Sequence, residues 1–152
     1  MTATNHVLTG IFIANAVQNP WIALPVALAS HFVLDAIPHF GMVNIRFDSN
    51  YFKVYLLCDM VVAALVLAAL VLIMPQHIWL LMACGILGAS PDLMWIPKFL
   101  AANQHKSMPK SGVIRKFHTI IQWFERPIGW VVEVAWFIAM TLLLNAQLLI
   151  IH

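Results

Sequence analysis

His31, Asp35 and His39 recur at steps of four inside an otherwise apolar segment, which reads Ala-Ser-His-Phe-Val-Leu-Asp-Ala-Ile-Pro-His-Phe-Gly from Ala29 to Gly41. On a helix that spacing puts all three on one face, drifting only about 40° per step. Imidazole nitrogen and carboxylate oxygen are proton carriers and also the ligand types that suit zinc, iron or manganese. Ionisable groups are costly in hydrocarbon, so a stripe of them in an apolar helix marks a candidate site. The plainer reading is that His31 and Asp35 satisfy each other inside a helix bundle. Asp59, Asp92 and Glu133, also set in apolar stretches, weigh against that reading.

The elements that must position these groups are membrane helices. The chain of 152 residues is 62% hydrophobic and 9% charged, against roughly a quarter charged in soluble domains. Apolar runs of spanning length recur along it, and we expect one integral membrane domain over 1–152, an all-α bundle of about five membrane helices plus one interfacial helix. No Lys or Arg precedes Arg46 and no short apolar core ends in a small-residue cleavage site, so the N-terminus does not read as a signal peptide. Cys58 and Cys84 fall in expected spans, as packing residues rather than a disulfide. Nothing in the sequence suggests nucleic-acid binding; the basic residues of 98–126 adjoin membrane segments and suit lipid headgroups.

In chain order, Thr4–Val17 and Trp21–Ile37 form a short hairpin around a turn at Gln18-Asn19-Pro20, the second helix ended or kinked by Pro38 and Gly41. At about 22–26 Å each they are short for full spans, and a partly re-entrant hairpin is an alternative. A polar loop covers 42–50, Tyr51–Met74 is a clear span, Pro75-Gln76-His77 a tight turn, and Ile78–Phe99 a span interrupted at Pro91. Cys84, Gly85, Gly88 and Ala89 form a small-residue patch that admits a closely packed neighbour. Val113–Arg126 reads as an amphipathic interfacial helix: Val113, Ile114, Phe117, Ile120, Ile121 and Phe124 share one face, and His118, Gln122 and Glu125 lie along its border. A last span opens at Pro127 and runs to Ile151.

Placing 98–126 on the cytoplasmic side of the membrane puts the N-terminus inside and the C-terminus outside. All eight basic residues then lie inside: Arg46, Lys53, Lys98, Lys106, Lys110, Arg115, Lys116 and Arg126. The same topology brings His31, Asp35, His39, Asp59, Asp92 and Glu133 within roughly 15 Å of the inner boundary, with His6 entering from the same side. An excess of carboxylates at one depth calls for a cation or protons. We therefore expect a divalent transition metal, zinc before manganese or iron, at a site opening to the inner leaflet.

His31 and Asp35 are the leading ligands. Asp59 and Asp92 are ligands or helix-packing partners, and His6, His39 and His118 are further candidates. His39 lies about 12 Å from His31 on an unbroken helix, so it needs a bend at Pro38, a second metal, or a place at the cavity mouth. Asp59 or Glu133 is the candidate general base, with Glu133 alternatively orienting a ligand. His77 and His152 fall on the far side and His105 in a solvated linker. Ser30 points about 100° away from His31 and is a poor nucleophile.

Thr4-Asn5-His6-Val7-Leu8-Thr9-Gly10, Ser30–His39, Gly88-Ala89-Ser90-Pro91-Asp92-Leu93 and Phe117–Gln122 with Arg126-Pro127 together resemble a group of small, mostly uncharacterised bacterial membrane proteins, over most of the chain. More distantly the chain is similar to the bacterial membrane-bound metal-dependent hydrolases, which carry an early His, a Pro-Asp element and a Ser-His-x-x-x-Asp element. The His-x-x-x-Asp pair is also similar to one in zinc-dependent phospholipase C. That resemblance implies His6, His31, Asp35 and Asp92 as metal ligands. The chain departs from the hydrolase pattern in three ways: Pro91-Asp92-Leu93-Met94-Trp95 lacks two of the expected ligands, no His-Arg-Gly-x-x-His element occurs, and the elements come in another order.

The leading expectation is a metal-dependent hydrolase at the inner leaflet, its substrate a phosphoester of a lipid or amphiphile and its partner the membrane lipid. An ion or proton carrier using the acids, or a non-catalytic membrane protein with a structural metal, are the alternatives.

Overall fold

A computed structural model of the chain describes residues 1–42, 46–74 and 76–151. Residues 43–45 of the expected 42–50 loop, Pro75 of the expected turn, and His152 lie outside the described residues. Seven α-helices run in the order α1 (Ala3–Val17), α2 (Pro20–Ala36), α3 (Asn50–Ile73), α4 (Ile78–Ala89), α5 (Ile96–Asn103), α6 (Val113–Ile121) and α7 (Trp130–Ile151). A 3-10 stretch at Ser90–Trp95 joins α4 to α5, and another at Pro127–Gly129 leads into α7. Two parallel strands of two residues, β1 (His39–Phe40) and β2 (Glu125–Arg126), pair His39 with Glu125 and Phe40 with Arg126. The chain is 79% helical, which makes it all-α apart from this clip.

Among the described residues, three segments are long and apolar enough to cross a membrane: Asn50–Ile73, Ile78–Asn103 and Pro127–Leu149. The sequence predicted about five. The difference lies in α1 and α2, of 15 and 17 residues, about 22 and 25 Å long.

Helix α1 holds the centre of the fold. Helix α1 packs against α2, α3, α4 and α7, and ten of its residues, Thr4–Ile11, Ile13 and Ala14, are buried. A helix that is apolar all round has no face to give to water, and enclosure by four neighbours satisfies it. The small-residue patch on α4 supplies the close approach. A Cβ on Gly88 would stand 2.7 Å from the His6 carbonyl oxygen, and one on Gly10 would collide with the backbone of Cys84. The neighbour that the patch was expected to admit is therefore α1. Cys84 is buried at that contact, whereas Cys58 is exposed on α3 rather than packed.

Enclosing α1 leaves its first-turn N–H groups buried, and two distant carboxylates satisfy them. Asp59 of α3 accepts from Ala3 N at 2.8 Å, from Thr4 N at 3.2 Å and from the Thr4 hydroxyl at 2.7 Å. Glu133 of α7 accepts from Thr2 N at 3.1 and 3.2 Å, from the Thr2 hydroxyl at 2.9 Å and from Asn5 Nδ2 at 2.6 Å. Both negative charges sit at the positive end of the α1 dipole. Farther along, Trp136 Nε1 donates to Thr9 Oγ1 and Asn15 Nδ2 to Gln147 Oε1, so α7 follows α1 through most of its length.

Helix α6 ends at Ile121, five residues short of the expected Arg126, and Glu125 and Arg126 belong to β2. The clip between β1 and β2 ties the exit of α2 to the entry of α7, with the Gly129 backbone tight against His39.

Candidate metal centre

Helix α2 supplies two groups one turn apart, His31 and Asp35, both fully buried. The 3-10 stretch after α4 supplies Asp92, where Pro91 in its first turn ends the regular helix. Helix α6 supplies His118 from its polar border, also fully buried. One ligand atom from each of His31, Asp35, Asp92 and His118 lies within 4.8 Å of the others, and the group could hold a metal ion.

The individual distances are more telling. His31 Nε2 lies 2.9 Å from His118 Nε2 and 3.3 Å from Asp35 Oδ2, and His118 Nε2 lies 3.0 Å from Asp35 Oδ2. Asp92 Oδ1 stands farther off, at 3.7 Å from His31 Nε2 and 3.8 Å from His118 Nε2. Four ligands at about 2.0–2.1 Å from a tetrahedral ion stand about 3.3 Å apart, and the observed edges bracket that value. Three atoms form a tight buried triangle of two imidazoles and one carboxylate. The fourth, on a side chain 34% exposed, opens the group to the surface.

Hydrogen bonding prepares the His31 imidazole, while His118 Nδ1 has no hydrogen-bond partner among the described residues. His31 Nδ1–H donates to the Gly88 carbonyl at 2.8 Å, which leaves Nε2 of the neutral ring with its lone pair toward the group. A histidine that binds metal through one nitrogen commonly donates its other N–H to a backbone carbonyl in this way. Gln122, one turn beyond His118, donates to Asp35 Oδ2 at 3.3 Å. Phe32 and Trp95 flank His118 at ring-centroid distances of 6.0 and 5.8 Å. No Lys or Arg pairs with Asp35 or Asp92 among the described residues, and the cation that does meet Asp35 is the Met1 amino group.

The remaining expected site residues are distributed around this group. His6 reaches the other oxygen of Asp35, with Nε2 3.2 Å from Oδ1, and its ring stacks on His31 at 4.0 Å. It borders the four-atom group without belonging to it. The Met1 amino group pairs with the same oxygen. His39, expected as a ligand, is outside the group. Helix α2 stops at Ala36, and His39 enters β1 with its Nδ1–H on the Ile37 carbonyl at 2.8 Å. Burial holds its imidazole below the ordinary histidine value. Asp59 and Glu133, expected as general bases, point at the N-terminus of α1, and their oxygens are taken up by its donors. His77 and His105 are exposed. The Ser30 hydroxyl donates to the Ala27 carbonyl rather than to His31.

Sequence reasoning missed four contributors: the Gly88 carbonyl, Gln122 as a partner of Asp35, Trp95 as a wall on His118, and Asn5 as a partner of Glu133. Only Gln122 left a readable sign, standing four residues after His118 on the same border of an amphipathic helix. Comparison of the chain with protein-family models, with curated proteins and with solved structures gives no match.

Proposed function

We propose that the protein is a membrane-embedded, metal-dependent hydrolase that acts on an ester or phosphoester of a lipid or amphiphile, with its site toward the cytoplasmic leaflet. The observation that carries this reading is the meeting of two imidazole nitrogens and two carboxylate oxygens at the spacing of a metal's ligand shell. The mixed nitrogen and oxygen donors, with no thiolate, suit zinc first and manganese or iron next. When bound, such an ion supplies Lewis acidity toward water and toward the scissile bond.

The chain's own residues divide the remaining work. His31, Asp35 and His118 hold the ion from the buried side, the three-ligand arrangement of catalytic rather than structural sites. Asp92, the exposed member, either completes the shell or accepts a proton from the attacking water. Asp59 and Glu133 are positioning residues: by holding the first turn of α1 they set His6 against Asp35.

Three long apolar segments support membrane placement, and on this reading α1 and α2 complete a bundle of five helices in the bilayer. The basic residues orient it with 98–126 inside the cell and the C-terminus outside. The resemblance to membrane-bound metal-dependent hydrolases agrees with this reading through His6, His31, Asp35 and Asp92.

Elemental analysis of the detergent-purified protein tests it, followed by turnover of a panel of lipid esters and phosphoesters. One transition-metal ion per chain, with chelator-sensitive hydrolysis that Asp92→Asn abolishes, is the expected result. Protein without a stoichiometric transition metal overturns the proposal, and so does metal-loaded protein inert toward the whole panel.

A further inference from the structure

Helix α6 has two obligations that point in different directions. His118, fully buried, faces the candidate metal centre, Gln122 reaches Asp35, and the Arg115 guanidinium donates to the Met94 carbonyl at 3.0 Å. Its apolar stripe of Val113, Ile114, Phe117 and Ile120 centres about 100° around the helix from His118, at 100° per residue. That stripe is largely uncovered, Val113 being 84% and Ile120 72% exposed. A nine-residue helix cannot turn both faces to the same bundle.

Two observations identify what covers the stripe. Trp123, Ile128 and Trp130 are also exposed, so uncovered apolar residues recur from α6 to the exposed apolar side of α7, a helix of membrane-crossing length. Trp123 is tied by its indole N–H to the Ala36 carbonyl, which presents an aromatic ring at the end of the bundle where interfacial tryptophans gather. Lys106, Lys110, Lys116 and Arg126 stand exposed around the stripe, with Glu125 the only acid between 93 and 132. Apolar residues bordered by cations are the pattern of a helix lying in an anionic headgroup layer.

We propose that the occupant of the α6 stripe is the anionic surface of the bilayer in which the protein sits, and that this contact holds His118 in the ligand group. The second half rests on the metal reading above; the first does not. Membrane contact then completes the site, because one ligand rides on the element that lipid seats. A bilayer of low negative charge leaves α6 less firmly placed, and His118 with it.

Nitroxide labels at Ile120 and at Lys116 test the seat, in a chain carrying Cys58→Ser, since Cys84 is buried. In vesicles of phosphatidylcholine with phosphatidylglycerol, the label at 120 is expected to be relaxed by oxygen and shielded from a water-soluble nickel chelate, and the label at 116 the reverse. A label at 120 open to the nickel chelate overturns the proposal, as does one shielded from both relaxants, which means a second protein surface covers the stripe. Cobalt(II) titration tests the coupling. Ile114→Glu with Ile120→Glu changes two side chains outside the centre and is expected to weaken cobalt binding about tenfold in those vesicles, within the range for groups supporting a ligand. Equal affinity for the parent and the double variant overturns the coupling. A parent chain that binds no cobalt, with label 120 still in lipid, overturns the metal reading and the coupling while the seat stands.

Discussion

The backbone carbonyl of Gly88 accepts the Nδ1–H of His31 at 2.8 Å, and the same residue, having no side chain, lets the His6 carbonyl rest against it. One glycine thus serves two parts of the candidate metal centre and its surroundings, fixing the ring of His31 and setting how closely α1 approaches. Gly88→Ala puts a Cβ 2.7 Å from a backbone oxygen, which cannot yield as a flexible side chain can. The clash outweighs the helix preference for alanine, worth about 1 kcal/mol. We expect a net loss of about 1–3 kcal/mol in detergent unfolding, typical of overpacking, and metal affinity lower by about 10–100-fold. Gly112→Ala, where nothing lies within 4 Å of the added Cβ, is the control and is expected to change neither.

The four-atom group predicts which histidines carry metal. His31→Ala and His118→Ala each remove a corner of the tight triangle and are expected to weaken metal binding by at least about 100-fold, beyond the range for outer partners. His6→Ala removes a neighbour of Asp35 rather than a member of the group, and its loss is expected to stay within about 10–100-fold. Because metal ligands must be deprotonated to bind, loading of the parent chain is expected to fall on acidification. Equilibrium dialysis against zinc across pH 5–8 reads all of these. Equal affinities for the His118→Ala and parent proteins would remove α6 from the site.

Asp59 and Glu133 separate a positioning role from a catalytic one. Asp59→Asn keeps one oxygen for donors that now use two, and Glu133→Gln does the same for Thr2 and Asn5. Each substitution leaves a buried donor short of an acceptor, and we expect a loss of about 1–3 kcal/mol apiece. Metal content is expected to remain that of the parent, and the pH profile of any turnover to keep its shape, since neither carboxylate faces the four-atom group. A displaced pH profile at unchanged stability would return Asp59 to the role of base.

These residues also show what a sequence can and cannot convey here. The meeting of His31, Asp35 and Asp92 is legible, because helix rise converts position in a span into level, whereas Asp59 and Glu133 end on the first turn of α1 instead. The closeness of α4 to a neighbour is legible from Gly85 and Gly88 for a similar reason, as small residues permit contact whatever the partner. The partner's identity is not legible: α1 reads as one more apolar helix, and only its enclosure by four others makes it central. The roles of Asp59 and Glu133 are hidden because their partners are mostly backbone N–H groups, which every residue but proline possesses. His39 followed the four-residue spacing of its neighbours, and the spacing lost its meaning where α2 ended at Ala36.

His39 itself carries the remaining prediction, one of acid sensitivity. Its imidazole is 1% exposed, it donates to the Ile37 carbonyl, and burial holds its pKa below the ordinary value. The unfolded chain takes up a proton at His39 below about pH 6.5, whereas the folded chain resists until a lower pH. The unfolded state therefore binds more protons in that window, and folding stability falls as pH drops through it. His39→Asn keeps a side-chain N–H and removes the titration. The variant is expected to be less stable than the parent at pH 8, through imperfect packing beside Gly129, and to lose stability less steeply between pH 6.5 and 5. The difference in slope is bounded at about 1.4 kcal/mol per pH unit for a single proton. Thermal unfolding in detergent at half-unit pH steps measures it. Parallel curves for the two proteins would mean that His39 binds a proton equally well in the folded and unfolded chains, and the buried neutral ring beside β1 would have to be abandoned.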